Sequence, residues 1–408
     1  METVFERVAG LDVHKASVKA NVRCREGAGK LRQETRTFGT MTRDLLALRD
    51  WLAERGVTHV AMDSTGVYWK PIYNILEGEF TVLLVNARHV KNVPGRKTDV
   101  KDCEWIAQLL ECGLLKGSFI PPAGQREWRD LLRSRSQLVR QKAAVSNRIQ
   151  KVLEDANIKL ASVASDVMGV SGRAMLEAMV AGQSDPKELA QLARKRLREK
   201  IPQLEAALQG RVSDHHRFLL RSLLDQAAHL EEQIGRFEQR IDDLNGPFAQ
   251  AVEAVSKIPG FDRTSASAVI AEIGTDMKAF PDAEHLSSWT GICPGSNESA
   301  GKHRSGKTRK GNVWLRSTLT QSAWAATRKK GSYFQAQYRR LAGRRGKKRA
   351  LVAVAHSLLQ VIYYVLTTGR SYQDLGADYF DRRDSDKIAR HHIRRLESLG
   401  YTVTKKVA

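Results

Sequence analysis

The spacing of apolar residues changes along this chain, and the change separates a mixed segment from a helical one. Over residues 5–118, short apolar runs of strand length alternate with stretches whose apolar residues recur every three to four positions. This pattern predicts strands over 7–12, 17–23 and 31–38, a helix over 42–55, a strand over 57–62, a helix over 68–77 and a strand over 80–85. A further helix is predicted over 103–115. The first segment is therefore expected to be an α/β domain.

Residues 125–245 show helical periodicity only, so a long helical middle is expected. In its first stretch, 128–153, Arg135 and Lys142 interrupt the apolar seam. The second stretch has a heptad seam, alternately spaced by four and three residues, formed by Leu223, Ala227, Leu230, Ile234, Phe237, Ile241 and Leu244. This coiled-coil pattern has two interpretations. The two helices form a bundle within one chain, or they also join two chains as a dimerisation hairpin.

A third segment begins after the turn at 245–247. Ile258, Pro259 and Gly260 lie between two apolar helical runs and predict a helical hairpin. Such a hairpin either presents backbone N–H groups to a phosphate or is an ordinary packing unit. The apolar run 350–368 contains His356 and Gln360, so a buried helix is favoured over a membrane span.

The charge of the chain points to a polyanionic partner. The net charge is +22 and the sequence pI is about 10.0. Residues 299–373 contain no acidic side chain, whereas an ordinary soluble surface mixes both signs. Aromatic residues lie among the bases, as is typical of nucleic-acid binding. The predicted contact residues are Lys302, Arg304, Lys307, Arg309, Lys310, Arg316, Arg344, Arg345, Lys347 and Lys348.

The four cysteines, Cys24, Cys103, Cys112 and Cys293, have no C-x-x-C spacing. This predicts neither a zinc site nor a disulfide framework, and it suits a reducing compartment. The first residues do not have the basic-then-apolar layout of a signal peptide. A cytoplasmic protein is therefore expected, with no membrane partner.

Four aspartates lie where strands end or a helix begins. Asp12 and Asp63 follow apolar strands, while Asp99 and Asp102 fall in the first turn of a helix that Thr98 would cap. Strand carboxyl ends and helix N-termini converge at one edge of an α/β sheet, so the carboxylates are expected to meet. They would repel one another unless a divalent cation neutralised them. An oxygen-ligand Mg²⁺ site is therefore predicted, and a solvated helix start is the alternative for the helical pair.

Residues 301–308, Gly-Lys-His-Arg-Ser-Gly-Lys-Thr, match the P-loop pattern of nucleotide-binding proteins. That motif requires a buried strand directly before its first glycine and a helix directly after its threonine. The preceding residues read as a loop, so an ATPase is not favoured. A phosphate-contacting loop fits this composition better.

Six short motifs together resemble the insertion-sequence 110 family of transposases. The first three are Gly-Leu-Asp-Val-His-Lys at 10–15, Met-Asp-Ser-Thr-Gly-Val-Tyr at 62–68 and Lys-Thr-Asp-Val-Lys-Asp at 97–102. The others are Ile-Pro-Gly at 258–260, Trp-Thr-Gly-Ile at 289–292 and Glu-Ser-Ala-Gly-Lys at 298–302. The motifs follow the family's order and cover most of the chain outside the helical middle and the tail.

The resemblance implies an N-terminal RuvC-like domain with a ribonuclease-H-like fold, and a C-terminal, mostly helical transposase domain. It assigns an acidic tetrad to Asp12, Asp63, Asp99 and Asp102, and a nucleophile to Ser299. The family usually has Glu where this chain has Asp63, so the metal geometry can differ. The resemblance also implies a structured guide RNA, double-stranded DNA of the element ends and target, and a dimer or tetramer.

The chain is accordingly divided into a catalytic domain (1–120), a helical coiled-coil region (121–245), a transposase domain (246–370) and a peripheral tail (371–408). Three functions remain open at this point. A recombinase would use Ser299 to cut and rejoin DNA with Mg²⁺, whereas a hydrolytic RuvC-like nuclease or junction resolvase would use water. A non-catalytic nucleic-acid-binding protein would use its acids only for structure.

Overall fold

A computed structural model describes residues 3–26, 30–63, 66–86, 90, 102–294, 298–299, 301–303, 306–383 and 385–404. Asp99, Arg304 and the predicted helix cap Thr98 lie outside these ranges. The chain divides into two compact units, Met1–Ile120 and Pro121–Ala408. The finer division into four segments stays a prediction.

The first unit is built on a sheet of five described strands. They are β1 (Arg7–Val13), β2 (Ser17–Glu26), β3 (Lys30–Gly39), β4 (His59–Asp63) and β5 (Thr81–Val85), in the spatial order β3-β2-β1-β4-β5. The first three strands are antiparallel, and β4 and β5 run parallel to β1. Its described helices are α1 (Thr42–Glu54), α2 (Trp69–Leu76) and α3 (Asp102–Glu111). The predicted mixed α/β character is confirmed.

Strand alternation divides the core of this unit between the two faces of the sheet. On one face, Leu11 and Met62 pack in a large cluster with Leu48 of α1 and Leu76 of α2. On the other, Val8, Ala61 and Val85 pack against Ile106 and Leu110 of α3. Helix α3 alone covers the second face among the described helices, so the residues around its first turn form the rim of that face.

The second unit is largely helical, as predicted. Its described helices are α4 (Ala123–Asp155), α5 (Leu160–Val163), α6 (Val170–Val180), α7 (Pro186–Gln191), α8 (Ile201–Leu208), α9 (Asp214–Asp243), α10 (Ala249–Ser256), α11 (Arg263–Ile273), α12 (Ala283–Thr290), α13 (Val313–Ala326), α14 (Tyr333–Arg345), α15 (Lys347–Thr368), α16 (Tyr379–Arg383) and α17 (Ser385–Ser398). Short 3₁₀ turns lie at Lys195–Lys200, Gly246–Phe248 and Met277–Ala279. Two short strands, β6 (Glu298–Ser299) and β7 (Lys302–His303), form a hairpin.

Helices α4 and α9 pack antiparallel within the chain. Ala227 and Leu230 of the heptad seam are buried, in one cluster with Val145 and Ile149 of α4. Arg135, which interrupts the first seam, donates to Glu238 of α9 at 2.5 Å, and Lys142 pairs with Glu231 at 2.9 Å. The basic interruptions are therefore ion pairs across this helix pair. Use of the seam between chains stays a prediction.

Helix α15 is the central helix of the C-terminal part, where it packs against α12, α13 and α14. Val354, Leu358 and Ile362 of α15 are fully buried, which agrees with the predicted buried helix. Its length and composition alone would also allow a membrane span.

The predicted helical hairpin is formed by α10 and α11. At the start of α11, Asp262 accepts a hydrogen bond from the backbone N–H of Ser265 at 2.8 Å, and the Ser265 hydroxyl bonds back to Asp262. The Ser265 hydroxyl and backbone N–H hold the pKa of the Asp262 carboxyl below its usual range. The Asp262 carboxylate therefore already binds a backbone N–H group at this helix start, where a phosphate would otherwise bind. Of the two interpretations of the hairpin, this favours the ordinary packing unit.

Candidate active site

Asp12 and Asp63 lie side by side on one face of the sheet. Their strands are parallel neighbours in register, with Leu11 opposite Met62, so the next residue on each strand is an aspartate. Leu11 and Met62 point into the core with α1 and α2, and alternation directs the residues that follow them to the α3 face. Neighbouring strands lie about 4.8 Å apart, which brings the two carboxylates within the span of one bound cation.

The first turn of α3 is brought to the same edge by a close approach to β1. A Cβ atom placed on Gly10 would lie 2.2 Å from the carbonyl oxygen of Cys103 and 2.4 Å from the backbone nitrogen of Ala107. Only a residue without a side chain fits there. Because Cys103 lies over Gly10, the preceding residue, Asp102, begins the helix near the carboxyl end of β1, where Asp12 lies.

The opposite end of α3 is fixed by a buried carboxylate. Glu111 is 2% exposed and accepts hydrogen bonds from Arg23 Nε at 2.9 Å and Arg25 Nε at 2.5 Å. The backbone carbonyl of Glu111 also accepts from the N–H groups of Val4 and Phe5. Helix α3 therefore runs antiparallel to β1 and cannot slide along it without breaking these bonds. Sequence reasoning missed Glu111, although an acid inside an apolar run was a signal.

A lysine, a histidine and a cysteine lie beside Asp12. Asp12 is paired across the strands with Lys19, and its Oδ2 lies 3.1 Å from Nε2 of His14. Burial, together with the nearby charges of Glu104 and Asp12, raises the pKa of the Cys103 thiol to about 11. In the absence of a metal, Cys103 is therefore protonated at neutral pH.

The described residues fit a Mg²⁺ site in the chemistry of their donors. Carboxylate oxygens from Asp12, Asp63 and Asp102 are hard ligands of the kind that Mg²⁺ prefers. Within the described part of the chain, no three acidic, histidine or cysteine side chains are close enough to hold a metal together. The predicted fourth acid, Asp99, lies outside that part.

In the second unit, Ser299 is carried by a two-residue strand next to a tight turn. Ser299 pairs with Lys302 in the β6–β7 hairpin, and Gly301 adopts a φ of +73° between them. The segment that carries the hairpin is closed at its base by a bridge between Pro294 and Thr308. Thr308 thus ends a loop, and the next helix begins only at Val313. The helix that a P-loop requires directly after its threonine is absent from the described residues 308–312, which agrees with the rejection of this motif.

The ends of this loop are held by backbone contact and by a buried ion pair. A Cβ atom on Gly311 would lie 2.2 Å from the carbonyl oxygen of Thr290, so the chain enters and leaves the loop in direct contact. Asn312 caps α13 and donates to Glu272 at 2.6 Å. Glu272 is 3% exposed and receives two hydrogen bonds of 2.7 Å from Arg133. These partners lie far apart along the sequence, and sequence reasoning missed them.

The predicted basic residues fall into two groups. The described members on the loop, Lys302, Lys307, Arg309 and Lys310, are not buried. Arg316 is partly buried and donates to the Arg309 carbonyl at 3.2 Å, so it also holds the loop. The second group flanks Gly346, where α14 ends and α15 begins, and consists of the exposed residues Arg344, Arg345, Lys347 and Lys348. Lysines at a helix N-terminus are unfavourable for the helix dipole, which favours an anionic partner there.

Two family models match the chain. One, a DEDD transposase model named for IS110, matches residues 9–158, and the other, described as a transposase of the IS116/IS110/IS902 family, matches residues 252–339. The first range contains all four predicted acids and the second contains Ser299.

Curated relatives agree with these matches. The chain is 26% identical over 333 residues to a "Probable family 20 transposase" of Pseudomonas aeruginosa, a match that covers 80% of this chain and 89% of the relative. It is 25% identical over 299 residues to the "Transposase for insertion sequence element IS1111A" of Coxiella burnetii, covering 71% of this chain and 72% of the relative.

Proposed function

Because the chain belongs to the IS110 family of insertion-sequence transposases, we propose that it cuts and rejoins DNA through a covalent phosphoserine intermediate. A transposase of this family is expected to act on the DNA of its element ends. The observation that carries the proposal is the convergence of Asp12 and Asp63 on the face of the sheet where α3 begins with Asp102. Such an edge is a place for phosphate chemistry.

The proposed metal ligands are Asp12, Asp63, Asp99 and Asp102. With these acids, Mg²⁺ would polarise the phosphate and offset the charge that develops on the attacking and leaving oxygens. Two further residues support this arrangement. Gly10 allows the approach of α3, and Glu111 sets its position along β1.

Ser299 is the proposed nucleophile. Its Oγ forms a bond to phosphorus while a base takes its proton, and the bond from phosphorus to the 3′ oxygen breaks. The leaving 3′ oxygen receives a proton, from that base or from solvent, and becomes a 3′-hydroxyl. The protein is then joined to the 5′ phosphate of the cut strand. The 3′-hydroxyl of the partner strand attacks this ester and releases the serine, so no ATP is needed. The basic residues Lys302, Lys307 and Arg309 on the same loop support DNA binding there.

The finer parts of the proposal rest on the family resemblance and on general features of the chain. The strand order, with three antiparallel strands followed by two parallel ones, supports a RuvC-like first domain. The net charge of +22 is compatible with a guide RNA as well as DNA. The heptad seam in α9 supports a dimer or tetramer. A cytoplasmic protein that works at the nucleoid follows from the proposed substrate.

The nucleophile is tested by trapping the intermediate. A DNA substrate whose strand exchange is blocked should accumulate a protein–DNA adduct that survives denaturant, and peptide mapping should place it on Ser299. Ser299→Ala should form none. Ser296→Ala and Ser305→Ala are matched controls from the same loop and should retain the adduct. An adduct that disappears only in one of these control variants would move the nucleophile to that serine.

A further inference from the structure

A cavity of about 920 Å³ lies between the base of the serine loop and helices α14 and α15. Its loop side includes Pro294 and Thr308, the two residues that close the segment containing Ser299. The volume is within the range of pockets that hold a small organic ligand, roughly 300–1,000 Å³. All of its lining residues belong to the second unit.

The walls of the cavity combine an apolar surface with a cationic rim. Ile292, Leu341 and Val352 contribute apolar side chains. Four cationic residues also line it, and they come from the loop and both helices: Lys307, Arg345, Lys348 and Arg349. A ligand suited to it therefore has a flat or apolar part joined to a strongly anionic one.

One polar group in the wall lacks a hydrogen-bond partner. Gln337 of α14 donates through Nε2 to the hydroxyl of Ser357 on α15 at 2.8 Å. The other end of the amide, Oε1, is buried and has no partner within the described part of the chain. A buried acceptor without a donor costs free energy, and a ligand that brings a hydrogen-bond donor to Oε1 would recover that cost.

His356 also lines the cavity, next to Ser357 on α15. Burial lowers the pKa of the His356 imidazole, against the opposing effect of the nearby Glu284 carboxylate. The ring is therefore neutral at pH 7 and offers one donor and one acceptor. Together, these groups can bond to the edge of a heterocyclic base.

We propose that this cavity, named the base pocket, holds one unstacked nucleotide of a nucleic-acid strand, with its base on the apolar wall and its phosphates on the cationic rim. The inference rests on the proposed function, because strand exchange requires nucleotides beside the cut to leave their old complement before they pair again. An acidic peptide fits less well, since its carboxylates could pair with the cationic rim but have no donor to offer the acceptor Oε1 of Gln337. The exocyclic amino group of a base supplies the missing donor.

The test measures binding without chemistry. Ser299→Ala protein in EDTA is titrated with a short single-stranded oligonucleotide that has one central adenine, and with the same strand abasic at that position. Removal of the base should weaken binding about 5- to 150-fold. Gln337→Leu should reduce this difference by removing one hydrogen bond, and the cavity-filling Ala353→Phe should abolish it. Gln373→Leu, an exposed glutamine outside the pocket, is the matched control and should retain the difference.

A second measurement uses the pocket with its own side chains. A strand with a photoreactive 4-thio base at the central position should crosslink to peptides of α14 or α15, and ribose and deoxyribose versions show whether RNA or DNA is preferred. Equal affinity for the intact and abasic strands, or crosslinks confined to other helices, would overturn the base pocket. Displacement of both strands by an oligoglutamate peptide, with no effect of the base, would assign the cavity to an acidic protein segment. Equal affinity of the Ser299→Ala protein for the two strands, together with an intact serine adduct in the wild type, would reject this inference alone.

Discussion

The acidic edge of the first unit and the serine loop of the second are positioned in different ways. Asp12 and Asp63 take their places from strand alternation and register, which leave each side chain one face to occupy. Ser299 lies on a two-residue strand, and its loop is fixed at its ends by Gly311 against Thr290 and by Asn312 on Glu272. The first arrangement is built into a sheet, whereas the second depends on a few long-range polar contacts.

The largest effect on stability is expected at Glu111, whose carboxylate fixes the position of α3 on the sheet. Glu111→Gln removes the carboxylate that neutralises the largely buried Arg23, which should lower the free energy of unfolding by about 3–5 kcal/mol. Urea denaturation measures this. Glu54→Gln, at an exposed ion pair with Arg55, is the control and should change stability by no more than about 0.5 kcal/mol. If Glu111→Gln costs as little stability as Glu54→Gln, α3 is held by apolar packing alone.

The next effect concerns the cations around Gly346. Replacement of Arg344, Arg345, Lys347 and Lys348 by Gln should reduce the affinity for duplex DNA. The slope of log K against the logarithm of the salt concentration should become less steep by about 0.9 for each phosphate that is no longer neutralised. Four exposed cations of the 3₁₀ turn that precedes α8, namely Lys195, Arg196, Arg198 and Lys200, form a charge-matched control set. Binding isotherms at several salt concentrations measure both slopes. Identical slopes in the two variants would mean that the Gly346 cluster does not touch the DNA backbone.

A smaller effect is expected at the contact between β1 and α3. Gly10→Ala places a methyl group against the helix backbone and should destabilise the first unit by about 1–3 kcal/mol. Gly78→Ala is the matched control, because a Cβ atom there meets no atom within 4 Å. Differential urea denaturation of the two variants measures the contrast. If both glycines tolerate alanine equally, the close approach of α3 is not required.

The smallest effect belongs to an ion pair of the helical scaffold. Hydrogen bonds from Arg173 and Lys142 lower the pKa of Glu231 from its ordinary value of 4.5 to about 2. Because the folded pKa is the lower one, this stabilisation is complete above about pH 4.5 and is lost as the pH falls toward 2. Glu231→Gln should therefore cost about 1 kcal/mol or less near pH 6, and the cost should shrink on acidification. A cost that does not change between pH 6 and 3 would contradict the ion-pair explanation.

Much of the first unit could be predicted from the sequence. All five strands were expected, because period-two alternation and apolar runs are visible locally, and the structure extends β2 to Glu26 beyond the predicted end at 23. Helix α3 ends at Glu111 rather than at 115, since Gly113 turns the chain with a φ of +66°. Asp12 and Asp63 were expected at one edge because each follows an apolar strand, whereas their shared face is known only from the register of β1 with β4.

Less of the site in the second unit could be predicted. A two-residue strand such as β6 has no periodicity to detect, so the hairpin around Ser299 was not predicted. The contacts of Glu272 with Arg133 and of Gln337 with Ser357 join residues that no local pattern relates. The charge surplus indicated the class of partner, but only the fold brings the loop and both helices around one cavity.

The central claim is that the acids and Ser299 act on the same phosphodiester. Its most direct test is the yield of denaturant-resistant adduct on one blocked DNA substrate in wild type, Asp12→Asn, Asp102→Asn and Ser299→Ala, with Mg²⁺ and with EDTA. We predict adduct only in the wild type with Mg²⁺, while thermal melting shows both Asn variants to be folded and at least as stable, since like charges have been removed. Undiminished adduct in the Asn variants would contradict a shared role. Cleavage by Ser299→Ala at the wild-type rate, with no adduct in any protein, would instead establish a nuclease that uses water.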